Sequence, residues 1–353
     1  MNLLDDFPKT ELEFHRRFAS EAACVKYFCA LRWPDGFVCP YCNHKGGWLR
    51  KKSNERRKKN KRPSYVCRAC KAETSVTAGT VLHNTQKELR EWLLAMFHRT
   101  VSKQGMSALE LQRRMGFGCY RTALRWLREL RRAMGEALKD RQQLGPEVEV
   151  DEVPIAGFQE EPRASDKKKD AYMLVAVERL PSGCGRVRLK FMRHRDGAHV
   201  IPFIKSVVKP GSLVLTDWSG AFVTLTNEGY LHDARVTSNG HGKQLRTPEG
   251  LLIAAKHLPR IGRIANLVDR LMIGAHQGSF KRRHIQGYLD EYAFRFDGKN
   301  LNVRTRMVKE LAEAALAIPC LPYTVSTGEF GPKKNRRQAE QLKQLAGEAY
   351  GNR

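Results

Sequence analysis

The chain has 353 residues, enough for two or three separately cored domains. Lys and Arg number 63 against 37 Asp and Glu, a formal net charge of +26, which favours polyanionic partners because each neutralised phosphate releases a condensed counterion. There is no run of 18 apolar residues and no apolar leader after the acidic start, so a membrane-embedded or exported chain is disfavoured and a reducing, cytoplasmic compartment is expected. The nine cysteines are odd in number and five are scattered singly, which makes a disulfide framework a poor reading.

Apolar spacing predicts a helix over residues 10–32, ended by Trp33-Pro34-Asp35-Gly36. Residues 37–80 hold two short strand-like pieces, 65–67 and 74–77, among four cysteines, and residues 86–134 are helical again. After Gly145-Pro146 the texture turns to strands: 147–155, the buried-type run 171–177, and 186–193 with basic and apolar residues alternating. A helix is expected over 197–208, a short strand over 213–215, and helices over 259–275 and 304–317. The polar, basic stretch after Gly328 is expected to be disordered or loosely helical. The domain reading is an N-terminal helical segment 1–35, a cysteine-bearing unit 36–80, a helical region 81–140, a strand-rich domain 147–325 and a tail 326–353.

Cys39-Pro-Tyr-Cys42 and Cys67-Arg-Ala-Cys70 are two Cys-x-x-Cys knuckles. Each offers two thiolates about a turn apart, and together they complete a tetrahedral sulfur shell suited to Zn²⁺, with an iron–sulfur site the less favoured choice. Such a closed shell leaves no open coordination position, so the ion would be structural. A redox pair is the competing reading, and two matched knuckles argue against it. Between them lie Arg50-Lys51-Lys52 and residues 56–62, including Arg57 and Lys58: either a solvated charged face or a phosphate contact at the tip of a zinc ribbon.

Ser107 precedes a helix to Met115, with Glu110 three residues on, a capping-box pattern. Gly116-Phe-Gly118 supplies a turn, and residues 120–134 form a second, Arg-rich helix. Two short helices about a Gly-bearing turn suit a helix-turn-helix, with Arg121, Thr122 and Arg125 as candidates for base or phosphate contacts. A plain basic helical hairpin is the alternative.

Two carboxylates each follow a short apolar strand: Asp151 in Val148-Glu-Val-Asp-Glu152, and Asp217 in Leu213-Val-Leu-Thr-Asp-Trp218. Phosphoryl transfer on nucleic acid uses divalent cations that clamp the attacking and leaving oxygens, and strand-end carboxylates on one sheet can hold them. Ordinary surface acids at strand ends are the alternative.

Over roughly residues 7–300 these segments, together with residues 258–296 (LPRIGRIANLVDRLMIGAHQGSFKRRHIQGYLDEYAFRF), resemble the zinc-ribbon insertion-sequence transposases of the ISXO-like type. The resemblance implies a multidomain chain: a zinc ribbon plus helix-turn-helix, then an α/β ribonuclease H-like domain with a mixed sheet. It implies Mg²⁺ or Mn²⁺ at Asp151 and Asp217, and cut-and-join chemistry on double-stranded DNA at terminal inverted repeats and target sites, by a homo-oligomer. In that family a Glu, Asn or His forms a third ligand and a Lys follows seven residues later. This chain has Gly262 and Asp269 at those positions. Val153-Pro154 stands where Thr-Tyr is common, and Ala156 where Gly is common. Asn266, one helical turn past Gly262, is the nearest polar substitute. The second functional reading is therefore a sequence-specific DNA-binding protein with a weakened or inactive catalytic domain. An RNA-binding ribbon protein fits the charge but not the paired carboxylates.

Overall fold

The computed structural model describes residues 7–50, 63–102, 105–155, 171–192, 197–217, 220–235, 238–239, 243–244, 258–276, 282–298 and 301–321. These fall into two compact units, one drawn from Met1–Ala137 and Gly298–Ala349, the other from Leu138–Asp297.

The first unit opens with α1 (Glu11–Arg17) and α2 (Glu21–Arg32). The single helix expected over 10–32 is two, because Ser20 takes an extended conformation and its hydroxyl accepts from the Ala23 backbone N–H at 3.3 Å, starting a fresh helix. Glu21 then reaches beyond its own helix. Its two oxygens accept from the backbone N–H groups of Leu89 and Arg90 at 2.8 and 3.0 Å, which cap α3 (Leu89–Val101). Phe14, Phe18, Tyr27 and Phe28 are buried with Trp92, Met96 and Phe97 in an aromatic-rich core.

Between these helices a three-stranded antiparallel sheet holds β1 (Gly47–Leu49), β2 (Ser64–Cys67) and β3 (Glu73–Ser75), in the order β1-β2-β3. The strand β1 was not anticipated. Gly47 permits it: a Cβ there would lie 2.6 Å from the Phe37 ring and 2.7 Å from the Val66 carbonyl oxygen. α4 (Ala108–Met115) and α5 (Tyr120–Lys139) follow. α9 (Leu301–Ala317) packs against α2 and α3. Residues of the 301–321 stretch, grouped by sequence with the strand-rich domain, thus belong to the first unit. The link is directly bonded: Val81 N–H donates to the Ala315 carbonyl, and Cys320 N–H to that of Thr80, each at 3.1 Å.

The second unit is built on a five-stranded sheet. Its strands are β4 (Glu147–Pro154), β5 (Tyr172–Leu180), β6 (Gly183–Met192), β7 (Leu213–Asp217) and β8 (Leu231–Arg235), in the spatial order β6-β5-β4-β7-β8. The first three strands form an antiparallel meander, whereas β4, β7 and β8 run parallel, so the sheet is mixed as expected. α6 (Val200–Val207) crosses from the meander to β7, and Phe203, Ile204 and Val208 pack with Val148, Val150, Ala176 and Val214 on one face. Alternation sends Glu149, Asp151 and their partners Val177 and Val175 to the other face. α7 (Pro259–His276) packs against β4 and β5, burying Ile261, Ile264, Val268 and Met272.

α8 (Ile285–Asp297) lies against β6 and closes the sheet edge with side chains. Gln286 accepts from the Phe191 N–H at 2.7 Å and donates to the Leu189 carbonyl at 3.1 Å. Asp297 accepts from the Val187 N–H at 2.9 Å and from Arg188 and Arg141 at 2.8 and 2.9 Å. Three alternate positions of an edge strand are thereby satisfied without a further strand.

Candidate metal centres and nucleic-acid interface

The four knuckle cysteines converge. Their sulfurs all lie within 4.8 Å of one another, with Cys39 to Cys70 and Cys42 to Cys67 at 3.6 Å. A disulfide would require about 2.05 Å. Tetrahedral Zn²⁺ with bonds near 2.3 Å sets its sulfurs about 3.8 Å apart, so the donor set and spacing fit zinc. Phe37, stacked on Tyr65 at 5.0 Å, and Trp33 form the small apolar cluster beneath the buried Cys39 and Cys67. At Cys67 burial pushes the thiol pKa up. The backbone N–H groups of Cys70 and Ala69 aimed at the sulfur outweigh that and bring it below the usual thiol value, while the neighbouring sulfurs push Cys70 the other way, as four crowded thiols must. Ionised sulfur at neutral pH is what a zinc ligand must supply. Arg57 and Lys58 lie outside the described residues.

The helical pair has the expected local chemistry. The Ser107 hydroxyl accepts from the Glu110 N–H at 3.1 Å, and Gly116 closes α4 in the left-handed region at φ 63°. The Glu110 carboxylate bonds Arg114 at 2.9 Å. α5 buries Ala123, Trp126, Leu127, Leu130 and Met134, with Trp126 stacked on Trp92 at 3.6 Å. Along α5 the arginines differ in environment. Arg121 is exposed, and Thr122 is half-buried. Arg125 is half-buried and donates to the Cys320 sulfur at 3.2 Å. Arg131 is buried, and Arg132 pairs with buried Glu129. Arg121 is thus the most accessible of the three contact candidates.

Asp151 and Asp217 sit on neighbouring parallel strands. The pairs Glu147–Leu213, Val148–Val214 and Glu149–Leu215 fix the register, and two more residues along each strand bring Asp151 level with Asp217. Adjacent strands lie about 4.8 Å apart, so the two carboxylates project from one row on one sheet face. Both are half-buried, and Asp151 Oδ1 accepts the Glu152 N–H at 2.7 Å. Asp217 ends β7, but Asp151 lies inside β4, which runs on to Pro154 through its pairing with β5, so only Asp217 holds the expected strand-end position. Two oxygen donors side by side fit a hard divalent cation that keeps most of its waters.

The start of α7 is tied to this face by Glu149, which no local motif singles out. Its Oε2 accepts the N–H groups of Arg260 and Ile261 at 2.9 and 3.2 Å, and its Oε1 accepts Arg260 Nη1 at 2.9 Å. Gly262 follows at once. It is exposed, and a Cβ there would meet nothing within 4 Å. Asn266 is exposed one turn on, and Asp269 is half-buried.

The transposase zinc-ribbon domain family matches residues 19–73, and the ISXO2-like transposase domain family matches residues 143–297. The chain belongs to the zinc-ribbon transposases of the ISXO2-like type. A comparison with curated proteins finds no match. The ribbon match begins at residue 19, ahead of α2, and covers the whole of that helix. No described helix is long and apolar enough to cross a membrane.

Proposed function

We propose that this transposase binds the terminal inverted repeats of its insertion sequence and, as a homo-oligomer, cleaves and rejoins DNA strands at a ribonuclease H-like site. The observation that carries the reading is the register that sets Asp151 level with Asp217 across β4 and β7. The strand order β6-β5-β4-β7-β8, an antiparallel meander followed by parallel strands, supports the fold reading. Mg²⁺ or Mn²⁺, when bound, would supply charge stabilisation to the attacking and leaving oxygens of an in-line displacement. Asp151 and Asp217 would hold it, each from a strand fixed on both sides by backbone pairing. Zn²⁺ at Cys39, Cys42, Cys67 and Cys70 is structural in this reading. Arg121 and Thr122 at the start of α5, with Arg125 behind them and Arg57 and Lys58 near the ribbon, are the proposed DNA contacts.

The third position sets how well the chemistry runs. Gly262 offers no ligand and Asp269 places a negative charge where the family resemblance implies a Lys. Asn266, exposed one turn on, is the nearest polar side chain and would reach a bound ion only through water. We therefore place this chain below members with a polar third residue in cleavage rate, with end binding retained. The test is strand transfer of a duplex carrying the element's ends into a plasmid, with Mg²⁺. Joined product that disappears in Asp151→Ala supports the reading. End-specific binding with no joining under any metal favours the alternative, a DNA-binding protein with an inactive catalytic domain.

A further inference from the structure

Glu149 is fully buried, and its main partner Arg260 is only 15% exposed. A buried carboxylate needs compensation, and here every compensating group belongs to another element. Two backbone N–H groups come from the first turn of α7. The Arg260 guanidinium adds a third bond, and Arg179 of β5 approaches Glu149 Oε1 at 3.6 Å. Arg260 does not end there: its Nε and Nη2 donate to the carbonyls of Gly183 and Leu180 at 2.7 and 2.8 Å, in the turn joining β5 to β6. One carboxylate and one guanidinium thus pin β4, the β5–β6 turn and the start of α7 together. The placement matters because Glu149 and Asp151 are two residues apart on one strand and on the same face, and because Gly262 follows the last pinned amide directly. The next turn carries Asn266.

We propose that Glu149 is a positioning residue for Asp151: by clasping the start of α7 and, through Arg260, the β5–β6 turn, it holds β4 in place and with it the carboxylate two residues on, in the row shared with Asp217. The proposal rests on the metal reading of Asp151 and Asp217. Glutamine cannot replace glutamate here. Its single oxygen can accept either the two backbone amides or the guanidinium, and its NH₂ then meets a donor on the other side.

The experiment uses the full zinc-loaded chain and Mn²⁺, titrated by the electron paramagnetic resonance of the free ion. Hydrogen exchange over 258–272 and thermal unfolding are measured in parallel, for wild type, Glu149→Gln, Arg260→Lys and Asp217→Ala. Removing a group that holds a metal ligand in place costs about 10- to 100-fold in affinity. Glu149→Gln should weaken the Asp217-dependent Mn²⁺ binding about tenfold, with faster exchange at 260–262. Arg260→Lys, which keeps the charge but loses the fork, should fall between, and it carries the test if Glu149→Gln does not fold. A lower unfolding temperature with unchanged Mn²⁺ affinity makes Glu149 merely structural and overturns the proposal, as does unchanged exchange at 260–262. Wild-type Mn²⁺ binding that Asp217→Ala leaves intact overturns the metal reading, and the positioning role falls with it. Asp217-dependent binding that ignores both clasp variants overturns the positioning role alone.

Discussion

Asp151 and Asp217 stand four residues into neighbouring parallel strands, counted from the paired residues Glu147 and Leu213. Equal offsets in a parallel register give equal heights, so the two side chains share one row. Nothing in either local sequence states this. It depends on β4 taking β7 as its parallel neighbour while β5 and β6 pair on its other side.

The ribbon should carry one zinc per chain. Cys67→Ser with Cys70→Ser removes two of four donors and should abolish stoichiometric zinc in metal analysis. The small cluster of Phe37, Cys39 and Cys67 is too slight to hold the ribbon alone, and structural zinc supplies on the order of 10 kcal/mol of folding free energy in such units. Proteolysis should therefore open first near the knuckles in the variant.

Arg121→Ala should weaken binding to end DNA by about 1 kcal/mol or more and reduce the slope of log affinity against log salt. Arg125→Ala should cost less in binding and more in stability, since that guanidinium is turned toward Cys320. Fluorescence anisotropy at several salt concentrations separates the two. The fragment ending before Gly298 should be poorly folded, because it lacks the buried Met307, Val308, Leu311 and Ala315 of α9. Each large apolar side chain removed exposes surface worth about 1.5–3 kcal/mol.

Asp290 should make the second unit less stable as pH rises. Burial pushes its pKa up to about 7, against the opposing pull of its bond from Gln286 and the charge of Lys139. An unfolded Asp titrates near pH 4. Between about pH 4 and 7 the folded chain binds more protons than the unfolded one, so stability declines across that window as pH rises. Asp290→Asn keeps the Gln286 bond at 2.7 Å and should match wild type near pH 4. At pH 8 it should exceed wild type in urea unfolding by up to about 4 kcal/mol, three pKa units at about 1.36 kcal/mol each.

Gln286→Ala should leave two backbone groups of β6 exposed at the sheet edge, Phe191 N–H and Leu189 carbonyl. A loss of about 1–3 kcal/mol is expected, with concentration-dependent self-association in light scattering from the opened edge.

What the sequence made legible was chemistry held in short windows. Cys-x-x-Cys spacing, the Ser107 cap with Gly116, and Asp217 at the end of its short apolar strand each read from a handful of neighbouring residues. What it hid depends on partners far along the chain. Glu21 caps a helix 68 residues later, and Glu149 one 111 residues later. Both look like ordinary surface acids until the fold brings the helix ends to them. The break at Ser20 was missed because the apolar period runs through it. The 301–317 helix was misgrouped because its amphipathic pattern does not say which unit its apolar face meets.

A Cβ at position 262 meets nothing within 4 Å, so the backbone there accepts a side chain. Gly262→His with Asp269→Lys should raise cleavage of end DNA at least about tenfold, a barrier change near 1.4 kcal/mol. Equal rates for wild type and the rebuilt protein would assign the third role to another residue, Asn266 first.

The most direct measurement is single-turnover cleavage of a duplex carrying the element's ends, with Mg²⁺, in wild type and Asp217→Asn, with end binding followed in the same samples. Asp217→Asn should bind the ends like wild type and lose cleavage by a hundredfold or more, about 2.7 kcal/mol. Wild-type cleavage that persists undiminished in Asp217→Asn would contradict it.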